Sequence, residues 1–89
     1  MKSVPEICRF FGIVIRMNFN DHAPPHFHAR YGSENVAIEI ATLTVIAGNL
    51  APRALGLVME WAATHQKELF ADWDLAGEGK LPVAIDPLD

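Results

Sequence analysis

Cysteine occurs once in this chain, at Cys8, so no intrachain disulfide can form and no second thiolate is present to complete a cysteine-based metal site. A reducing compartment matches that pattern. No apolar stretch approaches the ~20 residues that a bilayer-spanning helix needs. The segment Met1-Lys2-Ser3-Val4-Pro5-Glu6 also lacks the continuous apolar run of a signal peptide. The expectation is a cytoplasmic protein with no membrane partner. Positive charge is scarce too: seven Lys and Arg against eleven Asp and Glu leave a net charge of −4. That balance argues against a protein that coats nucleic acid through bulk electrostatics. Repeats, low-complexity stretches and linkers are missing, and 89 residues suffice for one core but not two, so residues 1–89 read as a single domain.

Apolar residues, by contrast, are abundant. They make up 51% of the chain, more than so small a core readily hides, which points to a homo-oligomer or to a hetero-complex with an obligate partner. The charge is also unevenly placed. Up to Met59 the basic residues Lys2, Arg9, Arg16, Arg30 and Arg53 outnumber the acidic ones and are joined by three histidines. From Glu60 onward, acids dominate over Lys67 and Lys80. Any basic site belongs to the first half and takes the form of a pocket or groove.

Periodicity locates the elements. Phe10 to Met17 is β-branched and aromatic and reads as one strand, with Phe11, Ile13, Ile15 and Met17 on one face and Arg16 on the other. Asn18 to Pro25 is turn-rich and ends in Pro24-Pro25, which predicts a rigid connection. His26 to Tyr31 alternates, with Phe27, Ala29 and Tyr31 on one face and His26, His28 and Arg30 on the other. Gly32 to Asn35 is turn chemistry, and Val36 to Ile40 completes a hairpin with Glu39 on the polar side. A short strand is expected at Thr44 to Ala47, closed by Gly48-Asn49. Behind Pro52 the apolar period becomes helical through Leu55, Val58, Ala62, Leu69 and Trp73, which predicts one long helix ending at Gly77 or Gly79. Val83 to Ile85 is expected to add an edge strand. The fold class is therefore α+β: a small antiparallel sheet of three to five strands covered on one face by one long C-terminal helix.

The segment Asp21-His22-Ala23-Pro24-Pro25-His26-Phe27-His28-Ala29-Arg30 concentrates three of the four histidines beside a carboxylate and a guanidinium. Strand geometry sets the Cβ atoms of His26 and His28 roughly 6 to 7 Å apart on one face. If Phe27 faces the helix, these histidines face away from it with Arg16 and Glu39, and His65 stays on the helix side. Three readings are open. His26 and His28 can be zinc ligands, completed by His22, Asp21 or His65. Alternatively, the histidines can act as acid and base on a phosphodiester without a metal, with Arg30 or Arg16 stabilising the added charge. Or the residues are structural, bonding to turns and backbone. Trp61 and Trp73 match the helix stripe and read as core or interface anchors, and Cys8 reads as a small buried apolar residue.

The strand Phe-Phe-Gly-Ile-Val-Ile-Arg-Met, the run Asp-His-Ala-Pro-Pro-His-Phe-His-Ala-Arg-Tyr and the stretch Arg-Ala-Leu-Gly-Leu-Val-Met-Glu-Trp-Ala together resemble the bacterial domain of unknown function 4160 over nearly the whole chain. Many members of that family are encoded beside a member of the domain of unknown function 2442 family. The resemblance thus implies a toxin and its cognate antitoxin. On this basis the expected function is the toxin component of a toxin–antitoxin pair, a ribonuclease-like protein acting on RNA. Asp21, His22, His26, His28 and Arg30 would be catalytic, with Arg16 and Tyr31 in binding roles. The alternative from another class is a non-enzymatic binding module or partner-dependent regulator.

Overall fold

The computed structural model describes residues 5–89. Five strands form one antiparallel meander in the order β1-β2-β3-β4-β5: β1 (Glu6–Phe10), β2 (Ile13–Arg16), β3 (His26–Tyr31), β4 (Glu34–Glu39) and β5 (Val45–Gly48). Two helices follow, α1 (Pro52–Ala63) and α2 (Gln66–Gly77). The α+β class and the covered sheet agree with the sequence, but three expectations need correction.

The run from Phe10 to Met17 is not one strand. It folds back at Phe11 and Gly12, whose φ values of 50° and 80° are both positive, as a tight hairpin turn requires when it must match the right-handed twist of its strands. Phe11 sits in the left-handed region with its ring largely exposed, so the apolar run concealed the turn.

The single long helix is also replaced by two. Thr64 and His65 leave the helical path, and the Thr64 hydroxyl donates to the Trp61 carbonyl at 3.0 Å, competing with the helical ladder. An unbroken helix from Pro52 to Gly77 would run about 39 Å at 1.5 Å per residue, longer than the 33 Å longest dimension of the molecule. The break lets α2 turn back and bring Trp73 and Ala76 to the connection between β2 and β3, where the Asn20 amide donates to the Ala76 carbonyl.

Finally, Val83 to Ile85 forms no strand. Ile85 makes one backbone bond to Ile7 along the β1 edge, and the Val83 amide is taken by the Asp72 carboxylate at 2.8 Å. One bond does not make a ladder.

Register decides which side chains share a face. Phe27 pairs with Ile38, and Ala29 pairs with Ile15 and Val36; all five are buried beneath the helices. Trp61 of α1 lies edge-on to Phe27 at 6.0 Å and tilted against Phe10 at 5.6 Å, so the core sits between this face and α1. On the opposite face Arg9 pairs with Val14 and Val14 with Arg30, while Arg16 pairs with His28 and His28 with Ala37. At the β4–β5 pairing Gly48 adopts φ 70°, and a Cβ there would lie 2.2 Å from the Asn35 carbonyl oxygen. Only glycine lets those backbones approach so closely.

Candidate functional site

Strand alternation places His26 and His28 on the face away from Trp61, as the sequence indicated, but the two rings differ in environment. His26 is only 4% exposed, covered by Trp73 of α2 at a ring separation of 5.2 Å, and touches the His28 ring at 5.0 Å. It is therefore not on an open surface. Its partners hold it from both sides: Nδ1 donates to the Pro24 carbonyl at 2.7 Å, and Nε2 lies 3.0 Å from Asp21 Oδ2. The Pro24-Pro25 connection, with a cis bond between Ala23 and Pro24, carries that carbonyl to the ring.

Asp21 is the hub. Its Oδ2 also lies 3.4 Å from His28 Nε2 and accepts from the Asn18 amide at 3.2 Å, while Oδ1 accepts the His22 backbone N–H at 2.9 Å. Burial raises the affinity of this carboxyl for a proton. The His22 N–H, the His28 ring, the Asn18 amide and the nearby His26 outweigh burial and hold the pKa at about 2. His28, with a side chain 26% exposed, is pushed below the ordinary histidine range by burial; the charges of His26 and Arg16 add to this, and Asp21 opposes it. The Asn18 amide nitrogen stands 3.3 Å from His28 Nε2, so one amide touches both the carboxylate and the ring.

Of the other residues singled out in the sequence, His22 bonds to Asp21 but is 88% exposed and swings outside the cluster. Arg16 lies beside His28 in the register and reaches Asn35 at 3.4 Å, and its Nε is buried without a partner among the described residues. Arg30 occupies the next row, exposed, between Val14 and Asn35, and makes no hydrogen bond to the cluster among the described residues. Tyr31 belongs to a different feature: with Phe11, Ile13, Arg53 and Leu57 it lines an apolar recess of about 450 Å³ on the helix side. His65 lies against Trp61 and bonds to Glu68, away from the site.

Three contributors escaped the sequence reading. Asn18 lies outside the histidine run and carries no pattern of its own. Trp73 reads as helix stripe, and only the break before α2 carries it to His26. Arg9 falls on the face of His28 because the Phe11–Gly12 turn adds a strand. Asn18, Asp21, Trp73 and Gly77 line a recess of about 60 Å³ beside the cluster.

One potential ligand atom from each of Asp21, His26 and His28 lies within 4.8 Å of the other two. Such a set can orient a proton acceptor, hold a cation or lock the end of the sheet. No helix among the described residues is long and apolar enough to cross a membrane. No curated protein and no solved structure matches the chain. A family model, described as a domain of unknown function (DUF4160), matches residues 12–74, from the first turn through α1 to Asp74 of α2, and includes every member of the cluster. The chain belongs to the DUF4160 family.

Proposed function

We propose that this domain cleaves RNA phosphodiesters as the toxin component of a bacterial toxin–antitoxin pair, with Asp21, His26 and His28 as its reactive centre. The observation that carries the reading is the β2–β3 register, which sets Arg16 directly beside His28 at the rim of the Asp21 cluster. Phosphodiester cleavage needs a group that takes the proton of the attacking hydroxyl, a proton for the oxygen that departs from phosphorus, and a fixed cation for the charge that builds on the phosphoryl oxygens. The cluster takes the proton and returns it to the departing oxygen, and Arg16 supplies the cation. Arg30, in the adjoining row of the same face, adds positive charge for a polyanion, whereas Arg9 in that row is paired with Glu6 at 2.8 Å and the chain as a whole is acidic. His26 has both ring nitrogens engaged inside the protein, so it positions Asp21 and His28 and does not meet the substrate. Zinc held through His26 and His28 would serve the same step by supplying a hydroxide.

The cognate antitoxin, of the domain of unknown function 2442 family by the resemblance, is the proposed partner. The apolar recess lined by Phe11 and Tyr31 supports a covering partner or second copy. A binding module without chemistry is the competing reading, favoured by the burial of His26 and the internal use of both its nitrogens.

Induction in a bacterial host separates the two. The chain alone should arrest growth, co-induction of its neighbour should relieve the arrest, and His28→Ala should abolish it while still binding the neighbour. Harmless expression in every arm sinks the toxin reading. Loss of partner binding in a folded His28→Ala protein would support the module instead.

A further inference from the structure

We infer that Asp21, His26 and His28 form a binding site for a late first-row divalent metal ion of the zinc type, with Asn18 at its open side. The inference deepens the reading of this cluster as a reactive centre, although metal binding can be measured without any RNA.

A carbonyl oxygen only accepts, so the 2.7 Å bond from His26 Nδ1 to Pro24 fixes a hydrogen on Nδ1. In the neutral ring Nε2 then presents a lone pair, and it faces Asp21 Oδ2 at 3.0 Å, another acceptor. His28 Nε2 meets the same oxygen at 3.4 Å, and the Asn18 amide nitrogen, a donor to that oxygen, stands 3.3 Å from it. With both rings neutral, lone pairs of His26 Nε2, His28 Nε2 and Asp21 Oδ2 converge, and the Asn18 amide, a donor to Asp21, is the neutral group that meets them. A cation at the centre of the three atoms satisfies all of them at once.

Spacing agrees with that placement. Metal–ligand bonds of ~2.0 to 2.1 Å set neighbouring ligand atoms about 3.0 to 3.4 Å apart in octahedral or tetrahedral geometry. The two carboxylate-to-imidazole separations are 3.0 and 3.4 Å. The outer contacts match as well: ligating histidines characteristically donate their other ring N–H to a carbonyl or carboxylate, as His26 does to Pro24, and such partners fix the ring. Two imidazoles and one carboxylate suit zinc, cobalt or nickel, whereas magnesium and calcium select oxygen donors. Three protein ligands leave a position open, as catalytic sites do. Asn18 and the small recess it shares with Asp21 and Trp73 lie at that side.

The test is calorimetric titration of the chelator-treated full chain with zinc chloride, with magnesium chloride as the control ion. One equivalent of zinc should bind and magnesium should not compete. His28→Ala and Asp21→Asn, checked for folding by circular dichroism, should each weaken zinc at least about 100-fold, beyond the 10- to 100-fold typical of outer-contact changes. His65→Ala, which removes the separate His65–Glu68 pair, should bind as the parent does. Folded parent protein that takes up no stoichiometric zinc overturns the proposal, and so does unchanged affinity in both site variants. Full RNA cleavage by metal-stripped protein that also takes up no zinc overturns the metal and leaves the cleavage reading standing. Zinc binding lost in the site variants, without RNA cleavage by the parent, upholds the metal and sinks the nuclease.

Discussion

Truncating Phe27 and truncating its neighbour His28 should have opposite consequences, because one strand turns them to opposite faces. Phe27 is fully buried, paired with Ile38 across the sheet and set edge-on against Trp61. Phe27→Ala removes that contact and leaves a cavity that a sheet and a helix cannot easily close, a loss of about 3 to 5 kcal/mol. At roughly 4 to 8 °C per kcal/mol for a domain of this size, the melting temperature should fall by at least about 12 °C. His28 is a quarter exposed, and among the described residues its polar contacts are the long ones at 3.3 and 3.4 Å. His28→Ala should cost no more than about 1 kcal/mol. Thermal and urea melts of both proteins by circular dichroism measure the difference, with Phe27→Leu as a milder variant if Phe27→Ala does not fold. A His28→Ala protein that melts below Phe27→Ala would refute the assignment of faces and make the histidines core residues.

Three further outcomes follow from particular residues. Gly48→Ala must place a Cβ against the Asn35 carbonyl in a left-handed backbone, and should lose at least about 2 kcal/mol in a urea melt, with the β4–β5 amides exchanging faster. Asp72 is buried with Oδ2 unpartnered among the described residues, and burial raises its carboxyl pKa. The folded state therefore holds its proton more tightly than the unfolded chain does, and the group costs stability as pH rises from about 4 through the folded value. The stability of Asp72→Asn relative to the parent should then be greater at pH 7 than at pH 4, as read from melting temperatures; a difference independent of pH would contradict this. Arg16→Ala should weaken RNA binding and lower the salt slope by about 1, the signature of one lost phosphate contact; an unchanged slope would remove Arg16 from the substrate bed.

The alternation of His26 to Tyr31 carried most of what could be known in advance. It separated Phe27 and Ala29 from His26 and His28 without reference to any partner strand, since period 2 is a local property. Asp21 joined the cluster because two prolines limit where the preceding segment can go. The rest depended on events without a local mark. The Phe11–Gly12 turn sits inside an apolar run, and its lone glycine looks like a tolerated interruption. Thr64 and His65 are neither glycine nor proline, so the helical period passes over the break. Missing that break hid the role of Trp73, and with it the burial of His26. Asn18 enters the site through tertiary placement alone, and Arg30 shares the face of His28 yet lies one row too far to touch the cluster.

The central claim is that Asp21, His26 and His28 act as one centre, and Asp21 is the atom-level hub that makes them so. Its most direct test is the rate of RNA cleavage under single-turnover conditions by purified parent protein and by Asp21→Asn, which keeps the shape and removes the charge. The account predicts cleavage by the parent and a loss of at least about 100-fold in the variant, comparable to removing a key electrostatic group, with a melting temperature that shows the fold intact. Cleavage at the parent rate by a folded Asp21→Asn protein, or none by the parent, would contradict it.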